Sequence, residues 1–242
     1  MSLMETARQN FQQLAANPYP GRGIVIGKIP GADEFVQIYW IMGRSKNSRN
    51  RIFVQEANGF IRTEVFDKTQ TYDPSLTIYF ALKHFGPNHA VTNGHQTDTV
   101  IEALGQGKTF EAGLDQWQFE PDPPNYTARI SGLVQVADRT ARYRLAVLKC
   151  LANDPRYFTR QYFLYETAVE GCGHLITTYA GDGNPLPAFS GEPALVPVGA
   201  GIDRIAEEYW QALNPENRVA LAVKTINVRD NSYAIRIVNT LS

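Results

Sequence analysis

Apolar and polar positions alternate with the two-residue period of strands over much of the chain and change to helical spacing in a few short windows. Residues 6–16 are helical in pattern, with Phe11, Leu14 and Ala15 on one side, and Asn17-Pro18-Tyr19-Pro20-Gly21 stops them. Residues 23–28 and 35–42 read as strands separated by the turn Pro30-Gly31-Ala32-Asp33, the second with the bulk of a buried strand. Residues 51–56 and 60–65 continue the pattern through Ala57-Asn58-Gly59, a hairpin signal because Asn-Gly tolerates positive φ. The first quarter therefore predicts an antiparallel meander. Tyr72-Asp73-Pro74 then opens residues 75–84, where Leu76, Tyr79, Phe80 and Leu82 have helical spacing, and Gly86-Pro87 closes them. Ala90-Val91 is a brief strand leading into Thr92-Asn93-Gly94.

Two short helices follow, with Asp98 expected to cap residues 99–104 and Thr109 to cap 110–117. Residues 120–125, Glu-Pro-Asp-Pro-Pro-Asn, form a stiff acidic loop because its prolines deny it both helix and sheet ladders. Strands at 128–136, 142–150, 160–167 and 174–179 make a second meander, broken at Asp138-Arg139, Asn153-Asp154-Pro155 and Glu170-Gly171. After a long loop over 181–187 comes an amphipathic helix at 203–213 with Ile205, Ala206, Tyr209 and Trp210 inward, and strands at 218–228 and 233–238 end the pattern. Grouped runs of strands and helices favour an α+β layered fold over a doubly wound sheet. With no repeat, linker or low-complexity tract, residues 1–242 read as a single domain in which 1–18 is an appended helix.

Composition narrows the function classes. The apolar fraction of 43% with 19% charged residues is that of an ordinary globular protein. A net charge of −1 provides no general field for nucleic acid, so polyanion binding would need a local patch. Two cysteines, Cys150 and Cys172, argue against a disulfide scaffold and fit a reducing compartment. Residues 1–17 lack a secretory pattern and no long uncharged apolar segment occurs, so the expected location is cytoplasmic, away from membranes. Met1-Ser2-Leu3 ahead of a second Met4 reads as an added leader and is left out of the functional argument.

One local patch does stand out. Gly43-Arg44-Ser45-Lys46-Asn47-Ser48-Arg49-Asn50-Arg51 holds four cations and no acid between two strand-like runs. It is a candidate anion site, with a solvated basic turn as the plainer alternative. Thr92-Asn93-Gly94-His95-Gln96-Thr97-Asp98-Thr99 carries amides and hydroxyls into a helix start, a natural place for an anion or a carbonyl oxygen, or simply a well-capped helix. Glu120 and Asp122, one residue apart on the stiff loop, are positioned for proton transfer, although acids in surface loops are usually solvated. Four scattered histidines give no metal spacing, the glycines near residue 23 lack the dinucleotide fingerprint, and no phosphate-binding P-loop is present. Cys150 lies in an apolar run, where a thiol is usually inert.

Taken in order, Tyr19-Pro20-Gly21-Arg22, Arg44-Ser45 with Asn50-Arg51, Tyr79, Asn93-Gly94-His95-Gln96-Thr97-Asp98-Thr99, Glu120 and Asp122 with Ala128-Arg129-Ile130, and Thr178-Tyr179 with Glu192-Pro193 resemble the archaeal-type inosine monophosphate (IMP) cyclohydrolase family over residues 19–240. The resemblance implies a four-layer αββα sandwich of two antiparallel sheets, like that of the Ntn hydrolases. It implies a small purine-precursor ribonucleotide as partner and no cofactor. The reaction it implies closes the purine ring of a formamido-imidazole-carboxamide ribonucleotide. Arg51, Tyr79, Glu120 and Asp122 would be catalytic. Arg22, Arg44, Ser45, Asn50, Asn93, Gly94, Gln96, Thr97, Asp98 and Arg129 would bind substrate. The chain departs from the family pattern in a longer basic loop, a longer middle meander, a longer 181–187 loop and Ala128 in place of a proline. Two other readings share the fold: a non-catalytic nucleotide- or RNA-binding module, and an Ntn-type amide hydrolase, for which no processed Ser, Thr or Cys terminus is evident. A homo-oligomer is expected, since an appended amphipathic helix on such sheets often buries surface between copies.

Overall fold

A computed structural model describes residues 2–70, 76–137 and 140–241. In chain order the elements are α1 (Leu3–Ala16), β1 (Gly23–Lys28), β2 (Glu34–Met42), α2 (Lys46–Arg49), β3 (Arg51–Gln55), β4 (Ile61–Val65), β5 (Phe80–Phe85), β6 (Asn88–Thr92), α3 (Gln96–Gly105) and α4 (Phe110–Leu114). They continue as β7 (Arg129–Ala137), β8 (Thr140–Leu151), β9 (Asp154–Tyr165), β10 (Cys172–Thr177), β11 (Ala194–Pro197), α5 (Ile202–Ala212), β12 (Arg218–Asn227) and β13 (Tyr233–Asn239).

Strands β3 to β9 follow one another as a seven-stranded antiparallel meander, while the second sheet has six strands in the order β11-β10-β1-β2-β12-β13. The two sheets pack face to face because strand alternation gives each an apolar inner face. Ile24, Ile26, Tyr39 and Ile41 from the six-stranded sheet meet Ile61, Ala81, Val91, Ile130 and Leu145 from the other. Val25, Ile38 and Trp40 point the opposite way and bury Leu14 of α1 with Ile205 and Tyr209 of α5. On the far side, Ala90, Leu133 and Ala146 pack on Val100, Phe110 and Leu114 of α3 and α4. The layers are therefore helix, sheet, sheet, helix, the α+β layering expected from the pattern and the αββα arrangement implied by the resemblance.

Several local expectations change. The first four strands do not form one meander: β1 and β2 lie in one sheet, β3 and β4 in the other, and the basic segment 43–50 is the crossing between them. Every residue from Phe35 to Met42 is buried, so periodicity could not show which neighbours β2 takes. The fourth strand of the second meander, β10, likewise belongs to the other sheet. Within the predicted helix over 75–84 the described residues give a turn at 76–77 and then strand β5 from Phe80, paired to β4 and β6 on its two sides, while residue 75 lies outside the described residues. Ladder bonds on both edges override the accidental helical spacing of Leu76, Tyr79 and Phe80, and the predicted opening at Tyr72-Asp73-Pro74 lies outside the described residues. Strand β9 starts earlier than expected, with Pro155 near the start of an edge strand, where a missing N–H is tolerated. Thr109 caps α4 by accepting from the Ala112 N–H, but α3 has His95 at its cap position and no side-chain cap, so Asp98 does not serve there. Ser2, read from sequence as part of a leader, caps α1 in a reciprocal capping box with Glu5. Trp210, expected inward, is only partly buried at the rim of its cluster.

The inner face also holds charge. Lys224 on β12 is fully buried, its ammonium 4.3 Å from the Tyr233 ring and 3.4 Å from His84 Nδ1, and no carboxylate forms an ion pair with it among the described residues. His84 stacks on His89 at 5.5 Å. Burial pulls Lys224 from the ordinary 10.5 down to about 7. Burial, followed by the nearby lysine, lowers His84 to about 4. Between pH 7 and 10.5 the unfolded chain thus holds a proton that the folded chain has released, so stability rises with pH across that window. Lys224→Met should raise stability below pH 7 by on the order of 1–4 kcal/mol and flatten the rise. Urea unfolding of both proteins at pH 6, 7.5 and 9 measures this, and a variant less stable than the parent at pH 6 would contradict it.

Candidate active site

One end of the sandwich gathers the beginnings or ends of strands from both sheets. Arg22 precedes β1, Arg44 and Ser45 follow β2, Arg51 begins β3, Tyr79 precedes β5, Arg129 begins β7, and Thr178-Tyr179 follow β10. Between them lies a cavity of about 430 Å³ whose polar lining includes Arg22, Arg44, Ser45, Arg51, Glu120 and Asp122. Gly21 lets the chain enter at φ +73°, and a Cβ there would lie 2.2 Å from Thr178 Oγ1 and 2.5 Å from the Tyr179 ring.

The centre of the site is a buried ion pair. Arg22 Nη2 donates to Glu120 Oε2 at 2.8 Å, and both side chains are nearly inaccessible. Burial raises the Glu120 carboxyl while the Arg22 and Arg129 guanidiniums pull against it, and the net direction is upward. For Arg22 burial opposes the charge, yet Glu120 and the surrounding tyrosines hold its pKa above the ordinary arginine value. Arg51 is buried too. Its Nε donates to the Ser48 carbonyl at 2.8 Å and one Nη to the Met42 carbonyl at 3.4 Å, and burial pulls its pKa down. No carboxylate forms an ion pair with Arg51 among the described residues, so its charge is available to an anion.

Arg44 is more exposed, stacked over the Tyr19 ring at 4.4 Å and paired with Asp182. Asp122 is committed within its own loop: its two oxygens accept from the Thr127 N–H at 2.7 Å and hydroxyl at 2.5 Å, while the Glu120 N–H donates to the Thr127 carbonyl. This ties residues 120–127 into a closed loop and makes Asp122 a brace for Glu120. Thr127 Oγ1 also meets the Tyr179 hydroxyl at 2.5 Å, and burial pushes that phenol up to about 12.

Other sequence candidates lie behind the cavity. Tyr79 is buried, its hydroxyl 2.7 Å from that of Tyr39. Asn93 Nδ2 donates to the Ala128 carbonyl, and its Oδ1 accepts from the Ile130 N–H and from Gln96. Gln96 Oε1 in turn accepts from Arg129, whose guanidinium stacks on Trp117 at 4.5 Å with its charge 4.0 Å from Glu120. A Cβ on Gly94 would come within 2.4 Å of Arg129, so glycine permits this close approach. Thr97 bonds the Phe80 carbonyl and Thr92. These residues form a polar layer supporting Arg22 and Glu120. Asp98 pairs with Lys83, and Asn50 ties to the backbone of Asp67, both outside this cavity.

The sequence did not single out Tyr39 or Thr127. Tyr39 shares the inward parity of Ile41 on β2, and its hydroxyl acquires meaning only when β5 brings Tyr79 opposite. Cys150 and Cys172 are buried outside the cavity lining, and burial raises both thiols, so neither is an activated nucleophile.

These features define an αββα sandwich protein with an arginine-lined cavity at one end of its sheets. The chain belongs to the IMP cyclohydrolase-like protein family, whose profile matches residues 19–231. That membership gives it a cyclohydrolase-type enzyme function and a nucleotide substrate. No curated protein matches it. Among the described residues no helix is long and apolar enough to cross a membrane.

Removing one partner of the buried pair leaves an uncompensated charge. Glu120→Ala should destabilise the fold by about 3–5 kcal/mol, and Glu120→Gln, which keeps an acceptor for Arg22, by less. Chemical denaturation of the two variants gives this order, and equal losses would show that a neutral acceptor for Arg22 retains nothing once the charge of Glu120 is gone.

Proposed function

We propose that the protein closes the purine ring of 5-formamidoimidazole-4-carboxamide ribonucleotide, giving IMP and water. The observation that carries this reading is the buried Arg22–Glu120 pair beside the carboxylate-free Arg51 in the cavity of a family member.

The reaction adds the carboxamide nitrogen to the formyl carbon. One C–N bond forms, an amide proton is lost, and the former carbonyl oxygen becomes a carbinolamine hydroxyl. That hydroxyl then leaves as water with the proton of the formamido nitrogen, generating the ring C=N bond. An amide is a weak nucleophile, so the site must hold it against the formyl group, stabilise charge on oxygen and move protons.

In this reading Arg51 faces the developing oxyanion. It is held by two backbone carbonyls and needs no reorganisation as charge appears. Glu120 accepts the amide proton, its carboxylate kept ionised by Arg22 against the effect of burial. The Tyr39–Tyr79 hydroxyl pair carries protons from the inner side, and Asp122 acts through Thr127 to hold Glu120 in place. At the more exposed end, Arg44 and Ser45 take the phosphate, with Arg44 exchanging Asp182 for the substrate.

Two outcomes follow. Arg51→Ala should lower turnover by about 10²–10³, as for loss of one oxyanion donor, and near-parental turnover would remove Arg51 from the mechanism. Because Glu120 must be ionised and its pKa is raised, kcat/KM should rise with pH through an acid limb lying above the ordinary carboxyl value of 4.5. Mixing the protein with the formyl ribonucleotide and following the absorbance change to the purine measures both. Tight nucleotide binding without conversion would instead identify a binding module.

A further inference from the structure

The basic segment has a second face. Ser45 and Ser48 line the cavity described above, whereas Lys46 and Arg49 line a separate one of about 330 Å³ on the other side of α2. Three-residue spacing puts each pair on its own side of the turn. Arg218 of β12 adds a third cation to the second cavity. It is fixed there by donating to the Trp210 carbonyl at 2.6 Å and by stacking over that indole at 4.5 Å.

Among the described residues one carboxylate, Asp67, lines this cavity, and its oxygens already accept from the Thr69 N–H at 3.0 Å, the Thr69 hydroxyl at 2.6 Å and Gln70 Nε2 at 2.7 Å. Among the described residues Lys46 and Arg49 form no ion pair, and Lys46 acts on Asp67 only at longer range. Three cations against one satisfied carboxylate leave a net positive concavity. Beside them Phe66 presents a ring that is 44% exposed, with Val219 and Leu241 completing an apolar side. A multidentate anion attached to a flat ring satisfies both halves, and mobile chloride satisfies only the first.

We propose that this cavity is an effector site for a phosphorylated nucleoside, with the phosphate among Lys46, Arg49 and Arg218 and the base against Phe66. Occupancy is coupled to the first cavity through α2. The Arg49 N–H bonds the Ser45 carbonyl at 3.0 Å, the Asn50 N–H bonds the Lys46 carbonyl at 3.1 Å, and the Ser48 carbonyl holds Arg51 Nε. A phosphate on the Lys46 and Arg49 side chains therefore steadies the turn that positions Arg51. The coupling, though not the binding, rests on the cyclohydrolase reading above.

Calorimetric titration with adenosine monophosphate separates the two cavities. Arg51→Ala should retain a binding event that the double variant Lys46→Gln/Arg49→Gln weakens by about 10–100-fold, the worth of one or more charge-assisted hydrogen bonds. Affinity unchanged in the double variant, or lost in Arg51→Ala, overturns the site. Inorganic phosphate should bind more weakly than the nucleotide, and equal affinity removes the base contact with Phe66. In turnover assays of the parent, adenosine monophosphate should shift KM for the formyl ribonucleotide at least twofold, and the shift should vanish in the double variant. A shift that persists there overturns the coupling. Calorimetry decides the site even if the formyl ribonucleotide is not converted.

Discussion

The buried pair between Arg22 and Glu120 joins the two sheets where their inner faces stop being apolar. Arg22 sits at the entry to β1 in one sheet, and Glu120 sits in the loop before β7 in the other. Two charges so far from water are tolerated because each has the other and because a polar layer completes their hydrogen bonds. That layer explains the arrangement of Asn93, Gln96 and Arg129, which face protein and not the cavity. It also explains why Asp122 is bound to Thr127 through both oxygens: the loop carrying Glu120 has no regular structure to hold it and is braced from within. Loosening any part of this layer would let water reach the pair and weaken the electrostatic contrast on which the proposed chemistry depends.

The crossing from β2 to β3 is the second organising feature. A chain that passes from one sheet to the other must leave the ladders, and here it does so in a short helical turn held by the Ser45–Ser48 capping box. Because the turn stands between two cavities, its alternate side chains serve different ones. Arg44, Ser45, Ser48 and Arg51 belong to the inner cavity, and Lys46, Arg49 and Asn50 to the outer one. A single run of basic residues is thereby divided between two cavities, Arg44 and Arg51 lining one and Lys46 and Arg49 the other.

At the other half of the sandwich, buried Lys224 and His89 meet the part-buried His84 and the more exposed Tyr233 in a cluster of a different kind. No carboxylate pairs with the ammonium there among the described residues, and the cluster is held by its stacked and tilted rings. Its effect falls on stability and its pH dependence, in contrast to the paired charges of the cavity.

By itself the sequence determined an α+β layered fold, most strand positions and the helices α1 and α5, while its resemblance to a known family implied the αββα class and pointed to Arg22, Arg44, Arg51, Glu120 and Asp122, which line the cavity. These follow from short-range rules: strand alternation, proline and glycine at turns, and an ordered series of motifs. What it left to tertiary structure depended on partners distant in the chain. The spacing of Leu76, Tyr79 and Phe80 suits a helix until β4 and β6 bind the segment from both sides. A fully buried β2 carries no mark of which sheet it joins, so the place where the chain changes sheet was hidden. The Asn93–Thr97 turn looks equally suited to a ligand or to protein neighbours, and only the approach of Arg129 and the Ile130 backbone decided for the latter. Residue type and spacing gave the chemical groups, and long-range pairing set which of them face the cavity, because direction and burial belong to the assembled sheets.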